Sequence, residues 1–147
     1  MKLQQISVPI ENAHGRLFEI TAALGEAGIN LRALNLVDSG DFGMLRILVS
    51  DISKARQVLM REQMPARVDH VVAVQIEDRP GRLADLLKLF MDKNLKVQYS
   101  YAFAGMRAGK AIMIFRFNDN DRAIEVLKAA NETLLDRKAF GILDSES

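Results

Sequence analysis

Asp78-Arg79-Pro80-Gly81-Arg82-Leu83 separates an apolar run, Val71 to Ile76, from a run with helical spacing, Leu83 to Phe90. That order reads as a strand passing through a tight turn into a helix. The arrangement occurs once before. Asn12-Ala13-His14-Gly15-Arg16-Leu17 follows the alternating Ile6, Val8 and Ile10 and opens a run of Leu17, Ile20, Leu24 and Ala27. Gly15 and Gly81 stand 66 positions apart. Self-similarity at a fixed offset is the mark of a duplicated unit.

Outward from the first turn, Gly28 stops the helix as a C-terminal glycine does. Ile29, Leu31, Ala33 and Val37 give a second strand, Asp38-Ser39-Gly40-Asp41 a turn, and Leu45, Ile47 and Val49 a third strand. Ser50-Asp51 offers an N-cap to a helix whose face is Ile52, Ala55, Val58 and Leu59, and Pro65 closes it. Pro9 has no N–H for a ladder, so the first strand is expected to be an edge or to end there. Val68 to Ile76 alternates over so long a run that two strands are expected in it, with a unit boundary near Asp69.

The second half repeats the order. Leu83, Leu86, Leu87 and Phe90 form a helical stripe, and Asn94 is suited to a left-handed stop. Leu95, Val97, Tyr99, Tyr101 and Phe103 alternate with polar or small residues, and Ala111, Met113, Phe115 and Phe117 follow the Ala104–Gly109 turn. Asp51-Ile52-Ser53-Lys54-Ala55 matches Asp119-Asn120-Asp121-Arg122-Ala123 at an offset of 68, so a net insertion of two residues falls in the second hairpin. Ile124, Leu127 and Leu134 are expected on the last helix, and Phe140, Ile142 and Leu143 in a short closing strand. Each half thus reads β-α-β-β-α-β, the ferredoxin-like order. The fold class is α+β: two tandem units, residues 1–69 and 70–143, with a tail at 144–147. Each has an antiparallel sheet with helices on one face, and the two sheets are expected to pair side by side.

Composition narrows function. Net charge is +1, with 20 Lys and Arg against 19 Asp and Glu. There is no basic excess of the kind nucleic-acid binders carry, so no nucleic-acid partner is expected. No apolar run is long enough to cross a bilayer and the N-terminus lacks a signal-peptide core, so no membrane partner is expected and a cytoplasmic location is. With no cysteine and only two histidines, disulfides, thiolate chemistry and a zinc site fall away, and no cofactor is expected.

A unit of this order with a Gly-x-Leu turn after its first strand resembles the ACT domain. The best match is Ile76-Glu77-Asp78-Arg79-Pro80-Gly81-Arg82-Leu83 followed by Leu95-Lys96-Val97. The first copy is similar through Gly15-Arg16-Leu17 and Ala27-Gly28-Ile29-Asn30-Leu31. The chain therefore looks like a tandem ACT-only protein. The resemblance implies a regulatory module without catalysis that binds an amino acid between units, in a homodimer, with a metabolic enzyme as possible partner. It implies a ligand held between the first turn of one unit and the second strand of its neighbour. The implied ligand-binding residues are Asn12, Ala13, His14, Gly15, Arg16, Leu17, Asn30, Leu31, Asp78, Arg79, Pro80, Gly81, Arg82, Leu83, Lys96 and Val97. The chemistry agrees: a helix start offers unpaired N–H donors and about half a positive charge to a carboxylate. Asn12, Asp78 or Asn30 would meet the ammonium. The chain departs from the family where His14 stands for the usual turn proline and where Lys96 stands for an asparagine. The site favoured on this ground combines the second turn with Asn30.

Other readings are weaker. A regulatory subunit of a biosynthetic enzyme such as acetolactate synthase is one alternative. An RNA-binding ferredoxin-like module, stacking bases on Tyr99, Tyr101 and Phe103, is another, but it lacks basic residues beside the aromatics. His70, on an apolar strand face, reads as a buried or interface histidine. Arg16 and Arg82 read as solvated first-turn arginines or as carboxylate guides. Asp41-Phe42-Gly43 and Gly105–Lys110 mimic nucleotide-site motifs without their context. Asp119 and Asp121 read as a helix start rather than an acid/base pair.

Overall fold

The structure, a computed structural model, describes residues 2–11, 15–38, 40–104 and 107–142. The elements run β1 (Leu3–Glu11), α1 (Arg16–Glu26), β2 (Leu31–Asp38), β3 (Phe42–Val49), α2 (Ile52–Arg61), β4 (Arg67–Glu77), α3 (Arg82–Asp92), β5 (Val97–Ala104), β6 (Lys110–Phe117), α4 (Asn120–Ala129), β7 (Thr133–Leu135) and α5 (Arg137–Phe140). They fall into two compact units. Residues 4–69 with 137–142 make the first, and residues 2–3 with 70–136 the second.

In the second unit β4 lies between β6 and β7, and β5 pairs with the other side of β6, every pair antiparallel. The order β7-β4-β6-β5 is the ferredoxin-like one, as two right-handed crossovers require. In the first unit β3 lies between β1 and β2, antiparallel to both. The α+β reading of two tandem βαββαβ units holds.

The helices form where capping residues and apolar spacing agree. Asp51 and Asp119 cap α2 and α4, each accepting from the N–H three residues on at 3.1 Å. Each of the four long helices is followed by a left-handed residue, Gly28, Gln63, Asn94 and Asn131, at matching positions of the repeat. The β5–β6 connection, residues 105–109, is two residues longer than the β2–β3 connection, residues 39–41, where the changed offset put the insertion.

The core of the second unit joins Val72, Val74 and Ile76 of β4, Leu86 and Phe90 of α3, Met113, Phe115 and Phe117 of β6, and Ala123 and Leu127 of α4. Phe90 presents its ring edge-on to Phe115 and Phe117, centroids 5.2 and 4.8 Å away. The α3 stripe is narrower than its apolar residues imply. Leu86 and Phe90 are buried, whereas Leu83 and Leu87 are exposed, because α3 turns one row of side chains to the sheet and leaves the next at its flank.

Four other expectations change. β1 does not end at Pro9 but runs to Glu11, with Pro9 opposite Met44 and exposed. Residues 67–77 form one unbroken strand, β4, within which the units divide at Asp69/His70. Leu134 lies in β7 against Val74 rather than on a helix, since Asn131 ends α4 in a left-handed turn. Phe140 and Ile142 are buried without forming a strand. Gly141, at φ +64°, folds the chain so that the Ile142 N–H returns to the Arg137 carbonyl at 3.0 Å, closing the short helix α5. Leu143 lies outside the described residues. His70, expected to be buried or at an interface, is exposed. Among the described residues no helix is long and apolar enough to cross a membrane.

One polar cluster is buried in the first unit. Ser7 Oγ donates to Asp69 Oδ2 at 2.7 Å, Gln5 Nε2 donates to Ser7 Oγ at 3.2 Å, and Arg67 Nε reaches Asp69 Oδ1 at 3.1 Å. The hydroxyl and guanidinium together let a carboxylate survive where water is excluded.

Leu86→Ala should cost the second unit roughly 2–5 kcal/mol, and Leu87→Ala should change it by no more than about 0.5 kcal/mol. Urea unfolding of both variants checks the rotation of α3. Ser7→Ala, which strips a buried carboxylate of one donor, should cost about 1–3 kcal/mol in the same assay.

Candidate functional site

The repeat starts its helices in two ways. α2 and α4 begin on aspartates that answer a backbone N–H. α1 and α3 begin on Gly15 (φ 87°, ψ −5°) and Gly81 (φ 85°, ψ −14°), and neither has a side-chain cap. Helical bonding starts only at the Glu19 N–H on the Gly15 carbonyl and the Asp85 N–H on the Gly81 carbonyl, both 3.0 Å. The first amides of α1 and α3 carry the positive end of the helix, and among the described residues no side chain caps them, although the Arg82 N–H turns back to the Arg79 carbonyl. A Cβ on either glycine would meet nothing within 4 Å, so the glycine answers to its positive φ rather than to crowding.

The second turn is closed by its own charges. Arg82 donates from Nε to Glu77 Oε2 and from Nη2 to Glu132 Oε2, both at 2.5 Å, with its side chain 13% exposed. The guanidinium thus ties the end of β4, the start of α3 and the α4–β7 connection together. Arg82 holds the Glu77 carboxyl down to about 2 from an ordinary 4.5, chiefly through that hydrogen bond. In return Glu77, then Glu132, raises the Arg82 pKa. Within the turn the Arg82 N–H goes to the Arg79 carbonyl at 3.2 Å and the Asp78 N–H to the Gly109 carbonyl at 2.9 Å. Arg79 reaches Asp85 at 3.7 Å, and Pro80 is exposed.

The first turn is built otherwise. Glu132 is replaced at the matching position by Met64, whose sulfur receives Arg16 Nη2 at 3.1 Å, while Arg16 Nη1 pairs with Glu19 at 2.7 Å. Arg16 is drawn along its own helix, and a cleft of about 220 Å³ opens beside the turn. Gly15, Arg16, Leu17 and Phe18 form one wall; Ile10 and Glu11 of β1, Leu36 and Asp38 of β2, and Gly43 of β3 form the rest. A Cβ at Gly43 would stand 3.2 Å from the Val37 carbonyl, a tight contact that the strand pair would have to ease. The cleft joins an uncapped helix start, four apolar side chains and two carboxylates. Asp38 Oδ1 also accepts from the Gly40 N–H at 3.0 Å.

Of the residues expected to bind, Gly15, Arg16 and Leu17 come together here. Asn12, Ala13 and His14 lie outside the described residues. Asn30 and Leu31 stand at the far end of α1, whose 11 residues span about 16 Å, and Lys96 and Val97 stand likewise at the far end of α3. Asn30 and Lys96 are true counterparts. Each exchanges two bonds with one residue, Asn30 with Ser50 and Lys96 with Asn118, at 2.9 to 3.0 Å. Tyr101 is buried and Tyr99 and Phe103 are half-buried, so the aromatic stripe is no open stacking platform. Asp119 is a cap, and Asp121 pairs with Lys2 at 3.0 Å. The cleft residues Ile10, Glu11, Phe18, Leu36, Asp38 and Gly43 escaped the sequence reading. Their signal is divergence between repeats, since Phe18 and Leu36 face Ala84 and Ala102 at the matching positions.

Comparison with known proteins agrees with this architecture. A family model described as an ACT domain pair matches residues 1–142. The crystal structure of protein BT0572 from Bacteroides thetaiotaomicron is 34% identical, covers 97% of this chain and 98% of its own, and superposes with a TM-score of 0.90. The ligand-free regulatory subunit of aspartate kinase from Thermus thermophilus is 15% identical over 87% of this chain and 89% of its own, TM-score 0.64. Its Thermus flavus counterpart is 16% identical over 87% and 90%, TM-score 0.63. At that identity the likeness is one of fold. No curated protein matches the sequence.

Gly15→Ala should cost about 1–2 kcal/mol, the strain of a Cβ in the left-handed region, read from denaturant unfolding. Because the folded second unit prefers Glu77 ionised, the stability its charge contributes is complete above about pH 4.5 and lost as pH falls toward 2. A pH series of thermal midpoints should be shallower over that window in Glu77→Gln.

Proposed function

The chain belongs to the ACT domain pair family, whose members are typically ligand-binding regulatory modules, and from that premise we propose that it binds one free amino acid in its first unit and has no chemistry of its own. The observation that carries this reading is the uncapped start of α1 facing a cleft of about 220 Å³. The amides of the first turn suit the carboxylate. Glu11 and Asp38 suit the ammonium on the opposite wall. Ile10, Leu17, Phe18 and Leu36 suit an aliphatic or aromatic side chain. The volume lies below the roughly 300–1,000 Å³ of clefts that take drug-sized ligands, which favours a single amino acid. The second turn, with Arg82 spent on Glu77 and Glu132, serves as a structural copy. The signal is delivered to a metabolic enzyme, through differential affinity of that partner for the occupied and empty protein.

A thermal-shift panel of the standard amino acids tests this. An apolar amino acid should raise the midpoint, by the equivalent of about 2.7 kcal/mol when present at a hundred times its dissociation constant. Leu17→Asp, which sets a carboxylate beside the helix start, should abolish that shift, and Arg82→Lys should not. A panel in which no amino acid moves the midpoint sinks the reading.

A further inference from the structure

α2 carries three cations and no acid. Its buried residues Ile52, Ala55, Val58 and Leu59 turn one face to the core, which leaves Lys54, Arg56, Gln57, Met60 and Arg61 exposed on the other. Lys54 and Arg61 are seven positions apart. That is two turns, so they mark the ends of one stripe about 10.5 Å long. Met60, 77% exposed, lies between that stripe and Arg56. Among the described residues none of the three cations makes an ion pair. We propose that this face of α2 is a docking surface for a partner protein, and that it takes an acidic amphipathic helix with two carboxylates two turns apart and an apolar side chain between them.

Charge, shape and the repeat carry the proposal. Cations without a partner in their own chain are free to meet carboxylates, and Met60 supplies the kind of apolar anchor that a polar rim surrounds in stable interfaces. Beside the stripe, a groove of about 600 Å³ runs between α2 and the last turns of α1, where Ala23 and Ala27 line it. Side chains that small let another helix come close. The second unit is the control. At the positions of Arg56, Met60 and Arg61 it has Ile124, Lys128 and Ala129, and α4 carries the acids Asp121 and Glu125. Ile124 packs against its own core, Asp121 pairs with Lys2, and Leu89 lines the groove where the first unit has Ala23. The two helices match in backbone and differ in what they show to a partner. Glu26 and Glu62 also line the first-unit groove, and the whole chain has a net charge of only +1. Those acids would repel the continuous phosphates of a nucleic acid or an anionic bilayer, whereas a polypeptide sets its acids at discrete points and avoids them. The end of α2 leads through Gln63 to Met64, whose sulfur holds Arg16 beside the cleft, so an occupant here presses on an element that borders the proposed amino-acid site.

The probe is a set of short, fluorophore-labelled helical peptides carrying two glutamates four, seven or eleven positions apart around one leucine. The full chain is titrated into each at low salt, with no amino acid present, and anisotropy is read. The seven-position peptide should bind tightest, and Lys54→Glu with Arg61→Glu should weaken it at least about tenfold by opposing like charges. A peptide with lysines in place of the glutamates should bind that double variant in turn, which general damage to the fold would not allow. Met60→Ala should cost about fivefold or more, and Arg122→Glu with Lys128→Glu, on α4, should change nothing. The proposal is overturned if no peptide binds, if the spacing makes no difference, or if the α4 pair matters as much as the α2 pair. Tighter binding to a DNA oligonucleotide or to phosphatidylserine vesicles than to the peptide overturns it too. Because the titration contains no amino acid, its failure leaves the amino-acid reading standing, and a thermal panel without a shift leaves this surface standing.

Discussion

A helix that begins on a left-handed glycine leaves its first amides to whatever lies in front of them. The same glycine start is written twice in this chain, at Gly15 and at Gly81, where the Arg82 amide turns back to the Arg79 carbonyl, while the other two long helices start on aspartates that satisfy a backbone N–H. The glycines have open space where a Cβ would be, so their conformation, not crowding, excludes other residues. Everything proposed for ligand binding depends on that backbone state, because an Asp or Ser cap would consume the donors a carboxylate needs.

Duplication supplied the geometry twice, and divergence separated the uses. In the second unit Glu132 faces Arg82 across the α4–β7 connection, and with Glu77 it turns the arginine into a clasp. In the first, Met64 takes the place of that glutamate. A thioether is a weak acceptor, so Arg16 leans to Glu19 instead. The change from carboxylate to sulfur is one of the differences between the clasped turn and the one beside the cleft. The same asymmetry runs through the flanking surface, where Phe18, Leu34 and Leu36 correspond to Ala84, Ser100 and Ala102.

Much of the fold was legible because local chemistry and period agreed. The caps at Asp51 and Asp119, the left-handed stop at Asn94 and the two extra residues of the second hairpin are all visible as spacing. What stayed hidden depends on partners distant in sequence. Leu83 and Leu87 belong to the apolar stripe by count, yet only packing on the sheet decides which row of α3 faces inward. Phe140 and Ile142 have strand spacing, but Gly141 between them bends the chain. At the site, the glycine turns could be read directly. The far wall could not, since Leu36, Asp38 and Gly43 reach the cleft only through the pairing of β2 with β3. Nor could the fate of Arg82, whose second partner lies 50 positions away.

The unbroken β4 bears on how such a chain is inherited and handled. Modules usually meet in exposed, pliable segments that tolerate nicking and insertion. Here the passage from one module to the next falls inside β4, between Asp69, which is buried, and His70, which is exposed. That join is held in regular strand rather than in a linker. Cutting the chain at that join means breaking a strand.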